Sequence, residues 1–402
     1  MTSTTPFEAF VKRRARLAGQ FFLEGLGEAN PWFARVDGLQ EVVEARGDRF
    51  VSFGNYDYLG LSRHPAVRAA AVEAVREHGT GVNGSRLVGG ERNFHRAFEA
   101  DLAAFVGTEA ALTLVSGYLT NLTLVPHLLG GDDLLVVDEY AHNSIMMGGR
   151  ATRATVKSFR HNDLDHLDHV LGEARTNHRN CLIAVESLYS MDGDHVELPR
   201  LLDIRDRHGA WVMVDEAHSF GVMGATGRGI CEHYGEDPKR IDLIIGTLSK
   251  TLASSGGFIL SHGLAIELLR FTLPGFVYSV GLSPAVTAGA HAALRALVDE
   301  PRRVARLRTN SEMFLAKAKA AGLDTGVATG CAIVPVLFSD FAVTLEKAAA
   351  LLREGIYAPP VVQVGVPQDA PRIRFFLSAD HTEADIDHAI RVLAGPTEGG
   401  AG

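Results

Sequence analysis

Short apolar runs at residues 110–115, 133–138, 154–159, 181–186, 211–215 and 241–246 alternate with helix-forming stretches through the middle of the chain. Most of these runs are rich in Val, Ile and Leu and too short for a buried helix, as strands covered on both faces require. Parallel neighbours cannot be joined by a tight hairpin and need a crossover, commonly a helix. The alternation therefore predicts an α/β protein whose mostly parallel sheet is flanked by helices.

The flanks read differently. Residues 6–28 form a helical pattern, with Phe7, Phe10, Val11, Leu17, Phe21 and Phe22 set among charges, and 39–53 read as a hairpin turning at Arg46-Gly47-Asp48. Helices are expected at 66–78 and 93–106. Near Leu282-Ser283-Pro284 the alternation fades into a long helical stretch reaching about residue 320. Strands at 331–337 and 372–377 and helices at 342–354 and 382–394 follow. At 402 residues the chain exceeds one compact core. Three parts are expected: an N-terminal helical arm and hairpin (1–50), a large domain (51–284) and a smaller α+β domain (285–402). The end, 395–402, reads as a frayed tail.

Bulk properties exclude several classes. A net charge of −9 without a dominant basic patch argues against nucleic acid, and Lys12-Arg13-Arg14 reads as a solvated helix face. Cys181, Cys231 and Cys331 are too scattered for a disulfide framework or a zinc site, so no metal and a reducing cytoplasm are expected. No apolar stretch reaches membrane-span length, and the first residues lack a signal-peptide core.

In open α/β sheets, ligands bind beyond the carboxyl ends of the strands. Polar residues gather there: Ser116-Gly117-Tyr118, His142, Glu186-Ser187, Asp215, and Thr247, Ser249 and Lys250. A strand-end carboxylate and a lysine beyond another strand suit pyridoxal phosphate. The amine can condense with the aldehyde, and the carboxylate can pair with the ring nitrogen. Lys250 alone would read as a surface lysine. Its neighbours Thr247, Ser249 and Thr251, and the Ser254-Ser255-Gly256-Gly257 turn, argue otherwise. A Walker A loop is excluded because Ser249 stands where glycine is needed, and no Gly-x-Gly-x-x-Gly follows a first strand. Buried at a strand end, Asp215 needs a cationic partner. His218 lies within reach of the same pocket, and His142 offers a ring that can stack on a flat cofactor. Ser116-Gly117-Tyr118 opens a helix, whose free N–H groups favour a phosphate.

The sequence resembles the α-oxoamine synthases, a pyridoxal-phosphate family that includes serine palmitoyltransferase, 5-aminolevulinate synthase, glycine C-acetyltransferase and the oxononanoate synthase of biotin synthesis. The matching stretches span nearly the whole chain. They include Asn55-Tyr-Asp-Tyr-Leu-Gly-Leu61, Gly79-Thr-Gly-Val-Asn-Gly-Ser-Arg-Leu87, His142-Asn-Ser-Ile145, Ser190-Met-Asp-Gly193, Val214-Asp-Glu-Ala-His218, Gly246-Thr-Leu-Ser-Lys250 and Arg372-Ile-Arg374. The resemblance implies a fold type I enzyme with Lys250 as the Schiff-base lysine and acid/base. It implies Asp215 at the ring nitrogen, His142 on the ring face and His218 at the ring oxygen. Ser116, Gly117, Tyr118, Glu186, Thr247 and Ser249 would complete the cofactor site. It further implies a homodimer with shared sites, in which Ser279 reaches the partner's phosphate. Ser279 replaces a threonine common in the family and keeps the hydroxyl. Tyr56, Asn83, Ser85 and Arg374 would face substrate, Arg374 clamping its carboxylate.

The implied reaction joins serine, glycine or alanine to an acyl thioester, on CoA or an acyl-carrier protein, with loss of carbon dioxide. Transamination on the same fold is the alternative. Pro359-Pro-Val-Val-Gln-Val-Gly365 matches the family's substrate loop only loosely, so the substrate stays open.

Overall fold

A computed structural model describes residues 5–17, 42–45, 48–361 and 370–395. An N-terminal helix, Pro6–Leu17, leads in. The expected continuation to residue 28, the hairpin turn at 46–47, residues 362–365 of the Pro-rich loop and the tail beyond 395 lie outside the described residues. Strands β1 (Val42–Ala45) and β2 (Asp48–Ser52) pair antiparallel. Helices Pro65–His78 and Asn93–Val106 follow, the second ended by a left-handed Gly107.

The central sheet comprises β3 (Ala110–Leu114), β4 (Leu134–Asp138), β5 (Thr155–Phe159), β6 (Cys181–Glu186), β7 (Trp211–Asp215), β8 (Leu243–Thr247) and β9 (Gly257–Ser261). Their spatial order is β3-β9-β8-β7-β6-β4-β5. All pairings are parallel except the two made by β9, which runs against both β3 and β8. The sheet is thus mostly parallel. Its antiparallel member was not read from sequence, because Gly257–Ser261 follows the lysine turn with no helix between.

Side chains alternate across this sheet and feed a core on each face. Leu134, Val136, Ile183, Val185, Val212 and Val214 join one cluster. Leu135, Val137, Leu182, Ala184, Met213 and Ile245 join the other, with Leu124 and Ile145 from the covering helices Gly117–Leu128 and Asn143–Ala151. Both faces being buried explains why the runs read as continuously apolar.

The long helical stretch after 284 is two helices, Pro284–Asp299 and Arg302–Ala320, not one. Pro301 interrupts it, since proline lacks the N–H that would continue the ladder. Beyond lie β10 (Ile333–Leu337), the helix Phe341–Arg353, β11 (Ile356–Tyr357), β12 (Pro360–Val361), β13 (Arg372–Phe376) and the helix Glu383–Ala394. Strand β13 lies between β10 and β12, while β11 joins β2 in parallel. Phe53 packs against Phe314 and Phe375, so residues just after β2 rest on this C-terminal part.

Candidate active site

The carboxyl ends of the central strands open into a cavity of about 290 Å³. Tyr56, Gly117, Tyr118, His142, Glu186, Asp215, His218, Thr247, Ser249, Lys250 and Arg374 line it. These residues come from segments as far apart as the loop after β2 and strand β13. Asn83, Ser85 and Ser279 do not line it. Asn83 is exposed with φ of 55°, Ser85 donates to the Val277 carbonyl at 2.6 Å, and Ser85 bridges Val280. Ser116 stands behind the lining as a helix cap.

One wall is the start of Gly117–Leu128. Ser116 takes the N–H of Leu119 on its Oγ at 3.3 Å and that of Thr120 on its carbonyl at 3.0 Å, leaving those of Gly117 and Tyr118 for a ligand. A Cβ on Gly117 would lie 3.0 Å from the Thr247 side chain, so glycine lets the helix start approach β8. Thr247 Oγ1 lies 2.8 Å from Ser249 Oγ. Two free amides, a helix N-terminus and two hydroxyls make a cradle for a phosphate.

Opposite, Asp215 ends β7 and is 5% exposed. Its Oδ2 accepts from Asn121 Nδ2 at 2.8 Å and its Oδ1 from the Ala217 N–H at 2.9 Å. Both donors fix the orientation of the carboxylate. Asn121 also donates to Ser144, and its own Oδ1 has no hydrogen-bond partner. His142 caps the helix Asn143–Ala151, its Nδ1 taking the Ser144 N–H and lying 2.7 Å from Ser144 Oγ. The enclosure of its ring lowers its pKa, and Lys250 and Arg374 push the same way against Asp215. His218 Nδ1 lies 2.7 Å from the Tyr58 hydroxyl. Burial, then the charges of Lys250 and Arg374, hold His218 well below the usual imidazole range.

Lys250 follows β8 in a turn closed by the Ala253 N–H on its carbonyl at 2.8 Å. Its Nζ lies 5.6 Å from the Tyr56 ring centroid. Burial lowers its pKa to about 8, with Asp215 and Glu186 opposing the shift and Arg374 adding to it. Arg374, on β13, donates to the Ser190 carbonyl at 2.8 Å, and its buried Nε has no hydrogen-bond partner among the described residues. A carboxylate entering the cavity would meet the Arg374 guanidinium, which lines it.

Sequence reasoning missed Asn121 and Ser144, and gave Ser190 and Met191, which also line the cavity, no role. Asn121 stands one helical turn after Gly117, a signal that helical spacing carries. Ser144 and Ser190 appear only within matching stretches, and nothing in their spacing aims them.

A model of the aminotransferase class I and II family matches residues 48–393. The chain belongs to this family. A relative from Phenylobacterium zucineum, described as a putative 8-amino-7-oxononanoate synthase, is 41% identical over 359 residues, covering 89% of this chain and 90% of that protein. The 8-amino-7-oxononanoate synthase of Beijerinckia indica is 36% identical, covering 90% and 91%. Among solved structures, serine palmitoyltransferase from Sphingomonas wittichii superposes with a TM-score of 0.91 at 30% identity, over 95% of this chain and 96% of that one. A structure described as SPT with its PLP internal aldimine has the same TM-score, 0.91, at 30% identity over 96% and 97%. Within the aminotransferase class I and II family the relatives are α-oxoamine synthases, as the motifs implied, and the fold is the fold type I arrangement expected from the sequence.

Proposed function

We propose that the chain is a pyridoxal-phosphate-dependent C-acyltransferase that joins serine, glycine or alanine to an acyl thioester, releasing carbon dioxide and an α-amino ketone. The carrying observation is that Lys250 faces buried Asp215 across a cavity whose third wall is a phosphate cradle. The relatives named for acyl-transferring synthases support this over transamination. The cofactor fits the residues present: the cradle suits its phosphate, Asp215 its ring nitrogen, and the Lys250 amine its aldehyde.

When bound, pyridoxal phosphate supplies an electron sink for a carbanion next to the amino group. The chain's residues do the rest. Lys250, partly unprotonated near neutral pH, takes the substrate α-proton on Nζ and returns one. Asp215, held by Asn121 and the Ala217 N–H, would pair with the ring nitrogen. His142 would cover one ring face, and His218, backed by Tyr58, would bond the ring oxygen. Arg374 would hold the substrate carboxylate beside Tyr56 and so set the orientation of the substrate in the cavity.

The working unit is a homodimer. Asn83, Ser85 and Ser279 serve the partner's site, which fits their position outside their own cavity. They sit among exposed apolar side chains, Val88 at 86%, Tyr278 at 87% and Val280 at 53%. The cysteines Cys181, Cys231 and Cys331 are free thiols, as a protein working in the cytoplasm carries.

The deciding experiment adds serine, glycine and alanine separately to the purified protein and reads cofactor absorbance, then offers a thioester panel and identifies products by mass spectrometry. One amino acid should perturb the spectrum, and free thiol and carbon dioxide should appear together. Product without thiol release would overturn the assignment.

A further inference from the structure

Glu186 is a buried carboxyl in the cavity that the proposed reaction leaves without a task. Alternation along β6 and β7 continues Leu182 and Ala184 into Glu186, and Met213 into Asp215, on the sheet face that Gly117–Leu128 covers. In the parallel register Glu186 and Asp215 are direct partners. Two carboxylates thus stand side by side at the same strand ends, 4% and 5% exposed.

Their surroundings differ. Asp215 accepts one side-chain and one backbone N–H. Glu186 is offered only the backbone of His142. Neighbouring anions in an enclosed site repel, which favours a proton on the member with fewer donors. That member is Glu186. Across the cavity stands Lys250, whose Nζ has an aromatic face and no hydrogen-bond partner among the described residues.

We propose that Glu186 is the charge partner of Lys250: it holds a proton while the amine is free, and its anion stabilises the ammonium when the amine is protonated. The change moves one proton from Nζ to a carboxylate oxygen; an N–H bond breaks and an O–H bond forms. No net charge enters or leaves the enclosed site. The role of Glu186 is a positioning one, acting through Lys250, and it rests on the reading of Lys250 as the cofactor-binding amine.

The other charged and titratable groups leave this pairing intact. Glu186 faces Asp215 from β7, Asp138 from β4, Tyr189 from its own connection and Lys250 from beyond β8. Lys250 in turn faces Asp215, Glu186, Arg374 and the two histidines His142 and His218. Both acids beside Glu186 raise its proton affinity. Burial, reinforced by Asp215, lifts Glu186 to about 8, and burial brings Lys250 down to about 8. Burial therefore disfavours the charged form of both groups, and moving the proton between them neutralises both at once.

The test uses the full-length chain and Glu186→Gln. Without cofactor, Lys250 is modified with an acylating reagent across a pH series and quantified by residue-resolved mass spectrometry. With cofactor, the visible band is titrated. Removing the anion should lower the Lys250 midpoint by roughly 0.5–1 pH unit in both experiments, and Glu186→Asp should restore most of the shift. A Glu186→Gln midpoint equal to that of the wild type overturns the proposal. Should Glu186→Gln not fold, infrared spectra of the wild type and Glu186→Asp decide. A protonated-carboxyl band at neutral pH that fades as pH rises supports the pairing, and its absence overturns it. The cofactor-free arm reads the pair even if the chain binds no pyridoxal phosphate, so the two readings fail separately.

Discussion

At the residue scale, the site depends on how each charge is partnered. Lys250→Ala should cut the thioester reaction by at least about 10³-fold while the chain still folds, measured by thiol release and circular dichroism. Asn121→Ala removes one of the two donors to Asp215. The carboxylate, one donor short, would then hold a ring nitrogen less firmly. Cofactor affinity should fall about tenfold, the worth of one hydrogen bond to a charged group, read by spectral titration. Lys250, Asp215 and His142 were legible because each ends or follows an apolar run. Asn121 was not, because its meaning lies in reaching across from a helix to a strand end. Asn83, Ser85 and Ser279 were named from resemblance alone, and one chain's geometry leaves them outside its cavity.

At the element scale, the connection from β6 to the helix Leu198–His208 carries Ser190 and Met191 to the cavity wall. It is held from two sides. His161 lies between Asp138 at 2.9 Å and Asp194 at 3.0 Å. Arg372 reaches back from β13 to Asp192 at 2.6 Å. The two carboxylates outweigh burial and raise His161 to about 10. Its folded value lies above the unfolded one, so its contribution is complete below about 6.5 and lost as pH rises through about 10. That contribution is on the order of 2–4 kcal/mol. Urea unfolding at neutral pH and near pH 10 should show this loss in the wild type and not in His161→Gln. Asp192→Ala leaves the Arg372 cation buried and short of its partner and should cost about 3 kcal/mol by the same measurement. Strand positions were legible to within a residue or two, because apolar runs mark them. The antiparallel β9 and the break at Pro301 were not, since the first lacks a helical spacer and the second is a single interruption in a strong helical pattern.

At the scale of the whole molecule, Val88, Tyr278 and Val280 give the surface around Ser279 its apolar character. On the proposed homodimer, Tyr278→Glu combined with Val88→Asp should yield monomers by light scattering. Cofactor affinity should fall with it, because Ser279 would no longer reach a second site. Residues outside the cavity of their own chain are meaningful only at this scale, and a sequence read as one chain cannot place them.

The lining of the cavity runs from Tyr56 to Arg374, so nearly every element must be in place before it exists. A molecule that holds the native chain and ignores the unfolded one adds to stability by mass action, about 2.7 kcal/mol at a hundredfold excess over its dissociation constant. Cofactor supply is then also a control on abundance. Where pyridoxal phosphate is scarce, the empty chain should open more often and be cleared sooner by proteolysis.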